Sequence, residues 1–291
     1  MRRLIAITTV LMLLGTTVYG ADPESRLPSG ASEQIRASVR DAIRAGGDPD
    51  EVVSLTTKME ESRFSESLMI RAHEIVIKAR QEGLPVQPIV NKAFEGIAKR
   101  VEAERTVKAM DLVRSRYSVA FAAARTVTTD EKQRQALGTA IAEGMTAGVR
   151  EKDVTRITDS IRQQERRLSR DQRAELAVQS FQTVREMARF GVSSETVADV
   201  VCQALQHQFT AREMTQMRNT FVTEARSGKT ESIAQQYGAR ISGGARAGGL
   251  GTGAGGDSGS GGRGPGSSAG SGSDSGSGSP GGSGRSGGAG G

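Results

Sequence analysis

Gly191-Val192-Ser193-Ser194-Glu195-Thr196-Val197 reads as the end of one amphipathic helix and the start of the next. Glycine takes the left-handed conformation that closes a helix without a Cβ clash, and Ser193 then N-caps the successor. Val192 and Val197 stand at the positions of a hydrophobic staple, which fixes the angle at which the chain turns. The same grammar recurs at Gly83-Leu84 through Ile89 and at Gly148-Val149 through Val154. A further junction is Gly46-Gly47 followed by Asp48-Pro49-Asp50-Glu51. There Gly47 ends a helix, Asp48 and Glu51 have capping-box spacing, and Pro49 sits where a missing N–H costs nothing. The polar residues between glycine and staple differ at every copy, so the motif predicts architecture and names no chemistry. On this reading valine at Gly191 strains a cap, whereas Ser194→Ala is expected to be nearly silent.

Outward from these junctions the pattern stays helical. No proline occurs between Pro88 and Pro265, while apolar residues return at helical spacing. Ile35, Val39 and Ile43 share one face, and Ile89, Val90, Ala93, Phe94 and Ile97 form a stripe opposite Asn91, Lys92, Glu95 and Lys99. Further capping boxes are predicted at Thr128 with Glu131, Ser169 with Gln172, and Thr210 with Glu213. The expectation is about ten helices of roughly 14 to 24 residues. The fold class is all-α: antiparallel helical hairpins packed as a bundle or short solenoid over residues 31–241. Laying Gly83 on Gly191, an offset of 108, matches apolar positions without matching identities, including Leu84 with Val192, Ile89 with Val197 and Val101 with Phe209. Duplication and a shared packing solution both account for that.

The two ends differ from the middle. Met1 to Gly20 carries Arg2 and Arg3, an apolar run from Leu4 to Leu14, and Val18 and Gly20 ahead of Ala21, the pattern of a signal peptide cut after Gly20. The run is shorter than the roughly 20 apolar residues of a membrane anchor, so no stable transmembrane anchor is expected after cleavage. No cysteine lies at the cut to receive a lipid. The expected location is the periplasm or the exterior. Residues 21–30, with Pro23 and Pro28, read as a loose leader. In residues 242–291, Gly and Ser make up 36 positions and Leu250 is the one large apolar residue. Such a segment buries too little to offset its ordering entropy, so a disordered Gly/Ser-rich tail is expected, with a reach on the order of 40 Å.

Without Arg2 and Arg3 the basic count falls from 39 to 37, against 33 acidic residues. That small excess, the absence of Trp, and Tyr117 and Tyr237 as the remaining tyrosines argue against a nucleic-acid partner, which needs clustered cations and stacking platforms. The lone Cys202 allows no internal disulfide and falls on the apolar stripe with Val197, Val200, Val201 and Leu205, as a buried thiol does. The methionines Met59, Met69, Met110, Met145, Met187, Met214 and Met217 read as core filling.

Catalytic equipment is sparse. His73-Glu74 begins a zinc-protease motif, but Ile77 stands where the second histidine is required, and His207 is the only other histidine. The glycine patterns at Gly251 to Gly256 and Gly284 to Gly288 lack the strand and helix that give such loops their chemistry. Arg162, Arg166, Arg167, Arg170 and Arg173 form the densest basic stretch, interrupted by Glu165 and Asp171; it reads as a solvated face or, secondarily, an anionic docking site. No catalytic residue, cofactor or metal is predicted. The function expected is a non-enzymatic interaction or scaffold module binding a protein partner in the bacterial envelope. The alternatives are a carrier of small apolar ligands and, more remotely, an exported hydrolase with carboxylates assembled by folding.

Overall fold

The computed structural model describes residues 23–251, and every regular element among them is helical. After a 3-10 turn at Pro23–Arg26 come α1 (Glu33–Arg44), α2 (Pro49–Glu61), α3 (Glu66–Gln81), α4 (Gln87–Ala98), α5 (Ala103–Val127) and α6 (Glu131–Thr146). Then follow α7 (Glu151–Arg162), α8 (Arg170–Arg189), α9 (Ser194–Gln206), α10 (Ala211–Ala225) and α11 (Thr230–Ser242). Helices α1, α2, α4, α7, α9 and α11 have only 12 or 13 residues and α5 has 25, a wider spread than expected.

The junctions explain the short helices. Gly191 has φ +84°, and the N–H groups of Val192 and Gly191 donate to the carbonyls of Met187 at 3.1 Å and Ala188 at 2.9 Å. These two bonds satisfy carbonyls that the helix end leaves open. The same pair of bonds closes helices at Gly83 and Gly148. It also forms where no glycine announces it: Arg63, Arg100 and Gln208 adopt φ of 60°, 54° and 58° and end α2, α4 and α9. At the first junction the left-handed residue is Gly46, with φ +94°. Gly47 is needed for a different reason, since a Cβ there would lie 2.8 Å from the Ala42 carbonyl oxygen.

Two of the four predicted capping boxes form in full, and a third forms by half. Ser169 with Gln172 and Thr210 with Glu213 make both reciprocal bonds, and Asp48 accepts from the Glu51 N–H at 3.0 Å. Thr128 does not cap α6. It closes α5, while Asp130, two positions nearer the helix, accepts from the Gln133 N–H at 2.8 Å.

Apart from α5, which packs closely on both its neighbours α4 and α6, the main packing joins alternate helices in the chain. One layer runs α1, α3, α5, α6, α8, α10; a second runs α2, α4 and α7, α9, α11, with α4 and α7 both against α5. Helices stacked this way form a two-layer array in which each unit covers the apolar face of the next. Helix α5 packs on α3, α4, α6 and α7 and is the point where both layers meet. One continuous core contains Phe121, Phe181, Phe209, Phe221 and Tyr237 as its largest fully buried side chains. The Phe221 ring meets Phe190 and Tyr237 edge-on, each at 6.1 Å between centroids. Met59, Met69, Met110, Met187, Met214 and Met217 are buried, as is Cys202, whose sulfur accepts from the Ser160 hydroxyl at 3.4 Å.

Both ends of the body extend further than the sequence suggests. Leu27 is buried, and Arg26 pairs with Asp50, so the segment read as a loose leader packs on α1 and α2. Past Ile241, Ala247 and Leu250 are fully buried, and the Arg240 guanidinium donates to the carbonyls of Leu250 at 2.6 Å and Gly251 at 3.1 Å. The boundary placed at Ile241 therefore falls too early: one buried leucine with an arginine clasp suffices to hold this stretch against α10. The segment read as a signal peptide, the rest of the tail and the glycine pattern at Gly284 to Gly288 lie outside the described residues. At offset 108, the left-handed turns at Gly83 and Arg100 superpose in sequence on those at Gly191 and Gln208. The match is not complete, for Val101 is 41% exposed where Phe209 is buried.

Candidate functional site

The predicted junction residues carry more than backbone geometry. Ser193 caps α9 by accepting from the Thr196 N–H at 3.3 Å, and its own N–H and hydroxyl donate to Glu231 at 2.8 and 3.0 Å. Thr196 adds a third bond to Glu231 at 2.5 Å, which holds that carboxyl below its usual range together with the Ser193 N–H. Ser194 donates to Asp153 Oδ2 at 2.6 Å and accepts from the Arg150 N–H at 2.9 Å. Burial pushes the Asp153 carboxyl upward, but the bonds from Ser194 and Arg150 outweigh it and hold the carboxyl low. These contacts tie α7, α9 and α11 together at their N-terminal ends, near Gly148 and Gly191.

The arginine cluster does not form a single cationic patch that would dock an anion. Arg162 pairs with Asp159 at 3.4 Å, Arg173 is buried and pairs with Glu165 at 3.3 Å, and Arg167 donates to Gln164 at 3.1 Å. Arg166 and Arg170 are exposed. Arg170 and Arg173 share a recess of about 260 Å³ with Arg125, Asp130, Glu165 and Asp171, so the local charge is mixed.

His73 lies wholly in the core. Its Nδ1 is 2.8 Å from the Ser38 hydroxyl and its Nε2 is 2.9 Å from the Thr56 hydroxyl, and burial lowers its pKa to about 4. His207 is exposed at the end of α9. Among the described residues no cluster of three His, Cys, Asp or Glu side chains is placed to hold a metal.

Two open grooves flank α5. One, of about 470 Å³ between α5 and α7, is lined by Val119, Ala122, Ala123 and Val154 with threonine hydroxyls between them. The other, of about 410 Å³, lies between α4, α5 and α6, with Arg189 of α8 at its edge. Its apolar floor is Val113, Tyr117 and Ala147, and its rim carries Lys92, Glu95, Arg116 and Glu143. Lys92 and Lys99 bond Glu95 at 2.9 and 2.6 Å, and the bond from Lys99 does most to bring that carboxyl to about 2. Glu143 receives Arg185 at 2.7 Å and Arg189 at 3.5 Å, and both arginines also reach Glu186.

Beyond the groove the row continues to α10. Arg218 donates to the side-chain oxygens of Gln179 at 3.0 Å and Gln182 at 2.8 Å. Its pKa is lowered by burial and by the nearby Arg185 cation, against the attraction of Glu186. Sequence reasoning passes over Arg116 and Arg218 because each looks like any polar-face arginine; only the packing of α5, α6, α8 and α10 sets them in one row. A carrier of apolar ligands calls for an enclosed apolar cavity, whereas both grooves open to solvent and carry charged side chains, Glu151, Asp159 and Arg162 in the first.

No family model, no curated protein and no solved structure matches this chain.

Proposed function

We propose that this chain is an exported, non-enzymatic helical module of the bacterial envelope, acting in the periplasm or outside the cell. It binds a protein partner on one face of its stacked helices, and the Gly/Ser-rich segment after Gly251 serves as a tether or spacer. The observation that carries the reading is the open face of α5, α6, α8 and α10, where a groove with an apolar floor adjoins a row of fixed charges. An apolar floor with a polar rim is the usual anatomy of a protein-binding surface. Export is supported by the sequence of residues 1–20, with its paired arginines and short apolar run. Affinity capture from envelope extract tests the proposal, using the chain with and without residues 252–291. A partner retained reproducibly by both forms is expected; retention of nothing by either form contradicts it.

A further inference from the structure

The geometry points to the α5–α6–α8–α10 face as a docking surface for an extended acidic segment of a partner protein, with carboxylates seated at Arg116 and at Arg218. This inference rests on the partner-binding reading and specifies the chemistry of the partner.

The charge ledger of the face is unbalanced in one particular way. Lys92 is paired with Glu95, and Arg185 and Arg189 are paired with Glu143 and Glu186. Arg116 and Arg218 are left over. Among the described residues neither has a carboxylate within salt-bridge distance, and each is held by neutral groups instead. The Thr146 hydroxyl accepts from Arg116 Nη1 at 3.2 Å, and the two glutamines accept from Arg218 Nη1. The Thr215 hydroxyl donates to the same Gln179 oxygen at 2.9 Å and so fixes the amide that aims Arg218. Only Nη1 of each guanidinium is engaged among the described residues, which leaves the Nη2 and Nε donors that a carboxylate bridges side by side. An arginine kept near another cation and supported by amides costs stability in the free protein; an incoming anion recovers that cost.

The remainder of the face selects a polypeptide over other anions. Glu95, Glu143 and Glu186 stand among the cations, so a continuously charged phosphate backbone or anionic lipid surface meets them at every step, whereas a peptide with widely spaced carboxylates lays neutral residues over them. Tyr117 is buried in the groove floor beside Val113 and Ala147, where it offers an apolar seat and no open ring for base stacking. Carboxylates at the two ends match Arg116 and Arg218, and an apolar residue next to the first matches the floor of Val113, Tyr117 and Ala147 beside Arg116. From α5 through α6 and α8 to α10 are three interhelical steps, on the order of 25 to 30 Å at 8 to 10 Å each. An extended peptide covers that span with about eight residues.

Fluorescence anisotropy on the full chain tests the assignment. The probe is a labelled peptide of about ten residues with glutamate at both ends and leucine, valine and serine between. Two control probes carry glutamine or lysine in place of glutamate. The glutamate probe is expected to bind and both controls to fail. Arg116→Gln and Arg218→Gln should each weaken binding at least about fivefold, the scale of one partly exposed ion pair, and together abolish it, with thermal melts showing both variants folded. Failure of the glutamate probe to bind, equal binding of the glutamine probe, or unchanged binding by the double variant overturns the inference. So does arginine-dependent binding of phosphatidylglycerol vesicles or a single-stranded oligonucleotide in place of the peptide. If the double variant still captures the same envelope partner as the unaltered chain, the partner-binding reading stands and this assignment alone falls.

Discussion

The Ser194 hydroxyl donates to the Asp153 carboxylate at 2.6 Å, across the junction where α9 begins beside α7. Asp153 is only 4% exposed, and its other donor is Arg150 at 2.9 Å. Alanine at Ser194 therefore leaves a buried carboxylate and the Arg150 N–H each short of a partner. The expected loss is about 1 to 3 kcal/mol, the cost of an unsatisfied buried polar group. This reverses the expectation that Ser194→Ala is silent. Gly191→Val, which forces a β-branched residue to φ +84°, should cost a similar amount, about 1 to 3 kcal/mol. Urea unfolding of the two variants checks this; a Ser194→Ala midpoint equal to that of the unaltered chain removes the network from the account.

Asp153 and Ser194 also show what a single sequence conceals. The glycine junctions at Gly83, Gly148 and Gly191 and the capping boxes at Ser169 and Thr210 are legible because every participant lies within six residues. Arg63, Arg100 and Gln208 end helices in the same conformation with no residue type to announce it, since tertiary packing supplies what glycine would have given locally. Asp153 and Ser194 lie 41 positions apart, and Arg185 and Glu143 lie 42 apart. Their meeting is a consequence of stacking alternate helices, which no local pattern encodes. Leu250 was hidden in another way: its glycine-rich surroundings predict disorder, and only the Arg240 clasp and the face of α10 make burial pay.

His73 governs stability in mild acid. Its folded pKa of about 4 lies below the unfolded value of about 6.5, so the unfolded chain binds a proton the folded chain refuses. The sign follows directly: its contribution is fully present above about pH 6.5 and is lost as pH falls toward 4, on the order of 3 kcal/mol in all. Asp153 and Glu231, whose carboxyls are held low, lose their contributions further down, as pH drops below the unfolded carboxylate range of about 4. Thermal melts between pH 7 and 4.5 should show a falling midpoint for the unaltered chain and a flatter profile for His73→Gln. Parallel profiles count against a buried neutral imidazole.

Gly138 on α6 faces the ring of Phe121 on α5, and a Cβ there would lie 2.5 Å from two ring carbons. Phe121 is fully buried. Gly138→Ala should destabilise by about 1 to 3 kcal/mol through overpacking, despite the better helix propensity of alanine. Adding Phe121→Leu should recover part of the loss. Calorimetric melts of the single and double variants decide the matter; a stabilised Gly138→Ala protein means the two helices are not so closely packed.

Truncation locates the end of the folded body. Removing residues 252–291 should leave the melting temperature unchanged, whereas removing residues 242–291 also strips out Leu250 and its clasp. Losing one buried leucine costs about 2 to 5 kcal/mol. Equal melting temperatures for the two truncations refute the packing of Leu250 on the body.

The central claim is that an exported chain meets a protein on the face beside Arg116, and site-specific crosslinking in living cells tests it most directly. A photo-reactive residue placed at Lys92, on the rim of the charged groove, should give a discrete protein adduct in the envelope fraction on irradiation, weakened when Arg116 and Arg218 are both changed to glutamine. The same residue at Ala122, in the groove on the other side of α5, should give none. An adduct from Ala122 alone, or no adduct from Lys92, contradicts the account.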